Sequence, residues 1–158
     1  MRYVLSKLHR LACAGLLLLL SAGVAEAGQA AFFEFDYPPR RATFVLQLRD
    51  PDKIEHARRI LRGEETAAVH VMGKVRAQER PWNEPWHFIL APQSIEFFEL
   101  AIEVCDASIR YVEQHLDEVG GAFLPGRVWC PWGSRLLREV TPDRHAIRPG
   151  GVRRAGSR

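Results

Sequence analysis

The stretch Ile95–Trp132 reads IEFFELAIEVCDASIRYVEQHLDEVGGAFLPGRVWCPW and contains the clearest helical pattern of the chain. Four apolar residues recur at the spacing of one helix face: Ile109, Val112, Leu116 and Val119. Asp106 is a suitable N-cap before this pattern, and Gly120–Gly121 is a suitable end. We therefore predict a helix between Asp106 and Gly120.

The segment Ile95–Cys105, which precedes this helix, alternates between apolar and mixed positions. Such alternation is typical of a strand with one side on the core. A helix is the alternative, because three glutamates also fall at helical spacing. We predict a long strand whose core side is made by Phe98, Leu100, Ile102 and Val104.

Residues Met1–Ala27 have the three parts of a secretory signal peptide. A basic start is followed by the apolar run Leu11–Leu20 and by the small-x-small site Ala25-Glu26-Ala27. The apolar run is too short for a good membrane span. We expect the mature chain to be secreted or periplasmic, without a membrane span.

Removal of that leader leaves two cysteines, Cys105 and Cys130. Two cysteines in an exported chain favour one disulfide, with two buried free thiols as the alternative. Closing a loop of roughly 25 residues stabilises a fold by on the order of 3 kcal/mol.

The net charge of +3 comes from the two ends of the chain. The body Gly28–Pro142 has 14 Lys and Arg against 17 Asp and Glu, whereas the tail Asp143–Arg158 has five Arg and one Asp. A mildly acidic body argues against a nucleic-acid interface on the fold, so no nucleic acid is expected as a partner. The tail is predicted to be disordered.

One domain, Ala42–Pro142, is expected after a short lead-in, Gly28–Arg41. Hydrophobic periodicity, helix caps and turn residues predict four elements before the central stretch: the strand Ala42–Leu48, a helix from Asp50 to Gly63, the strand Ala67–Val75 and the strand Trp86–Leu90. Ser134–Val140 is a last strand or a short helix. This order predicts an α+β fold, a mainly antiparallel sheet with two helices on one face. A ferredoxin-like β-α-β-β-α-β arrangement is one way to connect it.

The segments RATFVLQLRDPDKIEHARRIL, HVMGKV, FFELAIEVCDASIRYVEQHLDEVGGAFLPG and WCPWGSRL resemble a family of small exported proteins. Its members are often described as calmodulin-binding-protein-like, and the similarity covers about Ala42–Val140. The resemblance implies a protein-binding role without implying a site. Calmodulin targets are basic amphipathic helices with apolar anchors. The candidate here is Lys53–Arg62, although its apolar stripe is better suited to the core.

Two sets of side chains are candidates for a catalytic or metal-binding site. Glu99, Glu103 and Asp106 can do acid–base work or hold calcium, and the alternative is a solvated strand face with a helix cap. His70 and His87, with Glu103, can form a metal site, and the alternative is ordinary strand histidines. Neither set has the spacing of a known motif, so we assign no catalytic residue, metal or cofactor.

Four tryptophans and four prolines come from two loops. The tryptophans are Trp82, Trp86, Trp129 and Trp132. If the loops converge, they form a rigid apolar platform for a protein or a sugar ring, and the alternative is a small interior cluster around the disulfide. The sequence thus favours an exported, disulfide-stabilised binding module for a protein or cell-surface ligand. The other hypotheses are a small secreted hydrolase or metal-dependent enzyme, and a structural role in the envelope.

Overall fold

Seven strands, two α-helices and three short 3-10 helices (Pro81–Asn83, Pro92–Ser94 and Pro125–Arg127) form the part of the chain that the computed structural model describes, residues 29–38, 42–101 and 104–142. The strands are β1 (Ala31–Tyr37), β2 (Ala42–Leu48), β3 (His70–Ala77), β4 (Phe88–Leu90), β5 (Glu96–Phe98), β6 (Val128–Trp129) and β7 (Arg135–Val140). The α-helices are α1 (Pro51–Arg62) and α2 (Ile109–Gln114). The predicted α+β class is confirmed.

The strands form two antiparallel sheets, which differs from the single sheet of a ferredoxin-like arrangement. The first sheet has the order β2-β1-β7, and in the second β3 pairs with β4, β5 and β6. The aromatic core lies between them, where the ring of Phe44 in β2 contacts Phe88 in β4 and Trp129 in β6. Both helices contact the first sheet, α1 through β7 and β2, and α2 through β2.

The central strand of the first sheet, β1, lies within the segment that the sequence pattern assigned to a lead-in. Its residues are AFFEFDY, and most are buried on both faces. Phe33 and Phe35 face the core, whereas Phe32 on the other face packs edge-on against Trp82. From Phe33 to Tyr37 the residues alternate between aromatic and acidic, so a strand pattern is present in the sequence. The prediction of a lead-in was therefore wrong for this segment.

The elements around Ala42–Gly63 follow the predictions closely. β2 has the predicted bounds, and its residues Phe44, Leu46 and Leu48 are buried. The Asp50 carboxylate caps α1 by accepting from the backbone N–H groups of Asp52 and Lys53, and Gly63 ends the helix in the left-handed conformation.

The predicted long strand Ile95–Cys105 is wrong beyond Phe98. Within this segment only the residues of β5 pair with β3, and the pairing stops because β3 begins at His70, opposite Phe98. Leu100 and Val104, predicted to face the core, are 81% and 90% exposed. Ile102 and Glu103 lie outside the described residues. The apolar–polar alternation of this segment therefore continues past that end of β3, its partner strand.

The helix after this segment is shorter than predicted and has a different cap. Ser108 accepts a hydrogen bond from the backbone N–H of Tyr111, and α2 ends at Gln114. Asp106, the predicted cap, instead accepts from the Tyr37 hydroxyl and from the backbone N–H of Trp132. The predicted apolar face is still used, since Ile109, Val112 and Val119 are buried and Leu116 packs against the core.

The predicted disulfide Cys105–Cys130 is present, with its Cα atoms 5.2 Å apart. Both cysteines are buried, and the Cys130 backbone N–H donates to the Cys105 carbonyl at 2.9 Å. The bond ties the loop before α2 to the end of β6. Because Cys105 precedes α2 and Cys130 follows it in the chain, the disulfide helps to hold α2 against the sheet.

Two buried polar side chains connect the sheets. Asn83 accepts from the backbone N–H of Val45 at 2.7 Å and donates to the carbonyl of Phe88 at 2.9 Å. Ser134 accepts from the backbone N–H of Val71 at 2.8 Å. Because a buried amide or hydroxyl is stable only when hydrogen-bonded, these residues fix how the two sheets are aligned.

Candidate binding cleft

A cleft of about 500 Å³ opens where the end of β2, the start of α1, the end of β3 and the turn Pro92–Ser94 meet. Most of its lining residues are polar or cationic. The lining residues are Gln47, Arg49, Asp50, Lys53, Arg76, Gln78, Arg80, Ile89, Pro92 and Gln93. Four cationic side chains therefore surround one carboxylate.

Three of these cations have no counter-ion within the described part of the chain. Arg49, Arg76 and Arg80 form no ion pair with a described residue, although eight ion pairs join other described residues. Arg49 and Arg76 are exposed, and Arg80 is half-buried. Like charges around one concave surface repel each other, and a bound anion relieves this repulsion.

The other two charged residues of the cleft are already engaged. Lys53 donates from Nζ to the Ile95 carbonyl at 2.7 Å and to Glu96 Oε1 at 2.6 Å. The Asp50 carboxylate caps α1, so it does not neutralise the arginines through an ion pair. The charge available to a ligand is therefore that of the three arginines. Guanidinium groups suit carboxylate and phosphate oxygens because they can donate two parallel hydrogen bonds.

The sequence pattern did not reveal this cleft. Its arginines come from three separate places, at the end of β2, within β3 and in the loop after β3. No local run of basic residues marks them, and the whole body is mildly acidic. A sequence feature that could have indicated the cleft is the pair Lys74 and Arg76, which are two residues apart and therefore form a basic face of β3.

The predicted tryptophan platform is not formed. Trp129 is fully buried among Phe35, Phe44 and Phe88, and Trp86 is buried with its indole N–H bonded to the Thr43 carbonyl. Large aromatic rings at these positions supply the core, which explains why they do not face the solvent.

The other two tryptophans keep some exposed surface. Trp82 is half-buried against Phe32, and Trp132 is 42% exposed beside the disulfide, with its indole N–H on Cys130 Sγ. Binding by Trp82 or Trp132 stays a prediction.

The two predicted histidines are far apart. His70 begins β3 and is bonded to the Ser134 carbonyl, whereas His87 precedes the strand that pairs with the opposite end of β3. The eight residues of β3 between the positions of His70 and His87 span roughly 25 Å. Of the acidic set, Glu99 is exposed and Asp106 is bonded to Tyr37, and Glu103 lies outside the described residues. The structure therefore does not bring the histidines together in one site.

His87 instead links the loop after β3 to α2. Its Nδ1 forms a short hydrogen bond with Glu113, its backbone N–H donates to the same carboxylate at 3.0 Å, and Nε2 lies 3.6 Å from Glu79. The hydrogen bond and charge of Glu113, assisted by Glu79, raise the pKa of His87 above 6.5. Protonated His87 thus stabilises this contact.

We expect the contribution of His87 to depend on pH. Because its pKa is raised in the folded state, the stabilisation is complete below the unfolded pKa of about 6.5 and is lost as pH rises through the folded pKa. His87→Gln should therefore destabilise the protein more at about pH 5.5 than at about pH 9. Urea unfolding at both pH values measures the difference. A constant difference between the two proteins across this range contradicts the prediction.

The described helices are too short and too polar to cross a membrane. Within the same ranges, no three His, Cys, Asp or Glu side chains are grouped as metal ligands.

Comparison with known proteins gives one family. Residues 29–143 match the family model described as the BP-74 N-terminal domain. No curated protein and no solved structure matches the chain. The match includes β1, and therefore spans both sheets and the cleft.

Proposed function

The chain belongs to the family of BP-74 N-terminal domains, and we propose that it is an exported, disulfide-stabilised binding module for an anionic ligand. The ligand is presented by a protein or by a cell surface, and it binds in the cleft formed by Arg49, Arg76 and Arg80. The observation that carries the proposal is the presence, around one concave surface, of three arginines that form no ion pair with any residue in 29–38, 42–101 or 104–142. Export rests on the leader-like residues Met1–Ala27, which lie outside the described residues.

The described fold supports binding more than catalysis. The cleft offers guanidinium and amide groups, which hold an anion, but it lacks a nucleophile beside a base. Its Asp50 is occupied as a helix cap. The alternative, a secreted hydrolase or metal-dependent enzyme using Glu99, Glu103 and Asp106 or the histidines, has less support because Asp106 is engaged and His70 and His87 are separated.

The resemblance to calmodulin-binding-protein-like proteins fits a protein-binding role, but the candidate helix Lys53–Arg62 uses its apolar stripe in the core, as expected. Ile54 and Ala57 of Lys53–Arg62 are buried in the core, and Leu61 packs against it. A calmodulin target must present such anchors to its partner. Any recognition of an acidic partner is therefore proposed to use the arginine cleft.

The test is binding of anionic probes to the full-length chain, expressed for export and purified. Polyglutamate and a sulfated polysaccharide are titrated calorimetrically at low ionic strength. Arg76→Glu should weaken binding by about tenfold or more, because it removes a charged donor and adds repulsion. Affinity should also fall as salt is added, since salt screens exposed charges.

The matched control is Arg110→Glu, which makes the same change in net charge on α2, outside the cleft. Arg110 is exposed and has no ion pair with a described residue, so its replacement should leave affinity within about twofold, within the range of ordinary surface substitutions. Equal weakening by both variants would show general attraction to the protein surface and would refute a defined site. Absence of binding to either probe would refute the proposed function.

A further inference from the structure

Gln78 and Arg80 line the proposed anion cleft from the loop after β3, and Glu79 lies between them in the chain. The backbone at Arg80 is extended, with φ −139° and ψ 131°. Successive side chains of an extended chain point to opposite sides. The Glu79 carboxylate accordingly contacts His87, a residue outside the cleft lining, with Oε1 3.6 Å from Nε2. This contact therefore bears on the position of two cleft residues.

His87 itself is anchored to α2. Its backbone N–H donates to Glu113 Oε2 at 3.0 Å, and its ring Nδ1 is hydrogen-bonded to Oε1 of the same carboxylate. The Glu113 side chain is 20% exposed and the Glu79 side chain is 76% exposed, so the ring has one sheltered contact and one open contact. Together these contacts run from α2 through the ring of His87 to Glu79, and from there to the cleft.

The charge of His87 decides whether Glu79 is attracted or repelled. A protonated imidazole ring donates from both nitrogens, so it can bind Glu113 and attract Glu79 at the same time. A neutral ring has one N–H, and when Nδ1 donates it to Glu113, Nε2 presents a lone pair to the Glu79 carboxylate. The hydrogen bond and charge of Glu113, followed by the charge of Glu79, raise the pKa of His87.

We infer that His87 and Glu79 are positioning residues of the anion cleft, which hold Gln78 and Arg80 in place only while His87 is protonated. This inference rests on the proposed function and adds a regulation of the same site by pH. Loss of the proton releases Glu79, so Gln78 and Arg80 must be ordered when the anion binds. It also removes one positive charge from the neighbourhood of the cleft. Both effects weaken anion binding as pH rises.

The lining of the cleft contains no histidine, cysteine or tyrosine among the described residues. Histidine is the side chain whose ordinary pKa lies closest to neutrality. A change in anion affinity near neutral pH therefore has to arise outside the lining. The charged groups that act on His87 are Glu113 from α2 and Glu79 from its own loop.

The experiment is a calorimetric titration of the full-length chain with a sulfated polysaccharide, at about pH 6 and about pH 9 and at one ionic strength. Sulfate esters stay charged over this range, so the probe contributes no titration of its own. We expect the affinity to be about threefold weaker at the higher pH. The change is modest because the contact between His87 and Glu79 is exposed.

Two substitutions test the roles of the pair. His87→Gln should remove the pH dependence, and Glu79→Gln should remove most of it, because no carboxylate is then released. The matched control is Glu118→Gln, which makes the same change in charge at an exposed position outside the cleft and should keep the full threefold change. Circular dichroism at both pH values confirms that each titrated protein is folded.

The outcomes separate this inference from the proposed function. Equal affinity at both pH values, or the same loss in His87→Gln as in the natural chain, overturns the inference and leaves the anion cleft in place. A full loss that persists in Glu79→Gln but disappears in His87→Gln shows that His87 acts through its charge alone, and overturns the positioning role. Failure of both the sulfated polysaccharide and polyglutamate to bind at the lower pH overturns the proposed function itself.

Discussion

Replacement of Trp129 by alanine is expected to lower the free energy of unfolding by about 3–5 kcal/mol. The indole is fully buried, and its ring lies 5.5 Å from that of Phe44 and 5.6 Å from that of Phe88. Its N–H also donates to the Ala107 carbonyl at 2.9 Å, so the substitution leaves a cavity and an unpaired acceptor. Urea unfolding followed by circular dichroism measures the change.

Trp132→Ala is the matched control, because this indole is 42% exposed and lies three residues further along the chain. We expect it to cost about 1 kcal/mol or less. Trp129→Phe keeps an aromatic ring in the core and should have an intermediate effect. Equal losses of unfolding free energy in Trp129→Ala and Trp132→Ala would contradict the central position of Trp129 in the core.

Removal of the disulfide is expected to have the second large effect. The double variant Cys105→Ala/Cys130→Ala should lose on the order of 3 kcal/mol, because the unfolded chain regains the freedom of a closed loop. The loop has a sequence separation of 25 residues and contains the whole of α2. Urea unfolding midpoints with and without reductant measure this loss.

Reductant provides the internal control for that prediction. It should lower the midpoint of the natural chain and leave that of the double variant unchanged. Both sulfur atoms belong to buried residues, so reduction should be slow while the protein remains folded. A natural chain whose midpoint did not move after complete reduction would show that the bond adds nothing to stability.

Local signals predicted the elements whose structure is determined by neighbouring residues. The Asp50 cap, Pro51 and Gly63 determined the bounds of α1, and the alternation in Ala42–Leu48 determined β2. In each case the deciding contact is local or is a property of one residue.

What the sequence did not reveal depends on partners that are distant in the chain. β1 is a central strand because the distant β7 pairs with its second edge, and β5 stops where its partner strand begins. The arginine cleft is assembled from side chains that are up to 31 positions apart, Arg49 to Arg80. No periodicity or motif encodes such a set, because only the fold brings its members together.

The contacts of Trp86 and Asn83 with β2 have a consequence for self-association. The Thr43 carbonyl and the Val45 N–H point away from β1, and they are occupied by the Trp86 indole and the Asn83 amide. An unprotected outer strand invites another molecule to extend the sheet through its backbone. Here two of those attachment points are already occupied, so fewer backbone groups of β2 are free to bind an added strand.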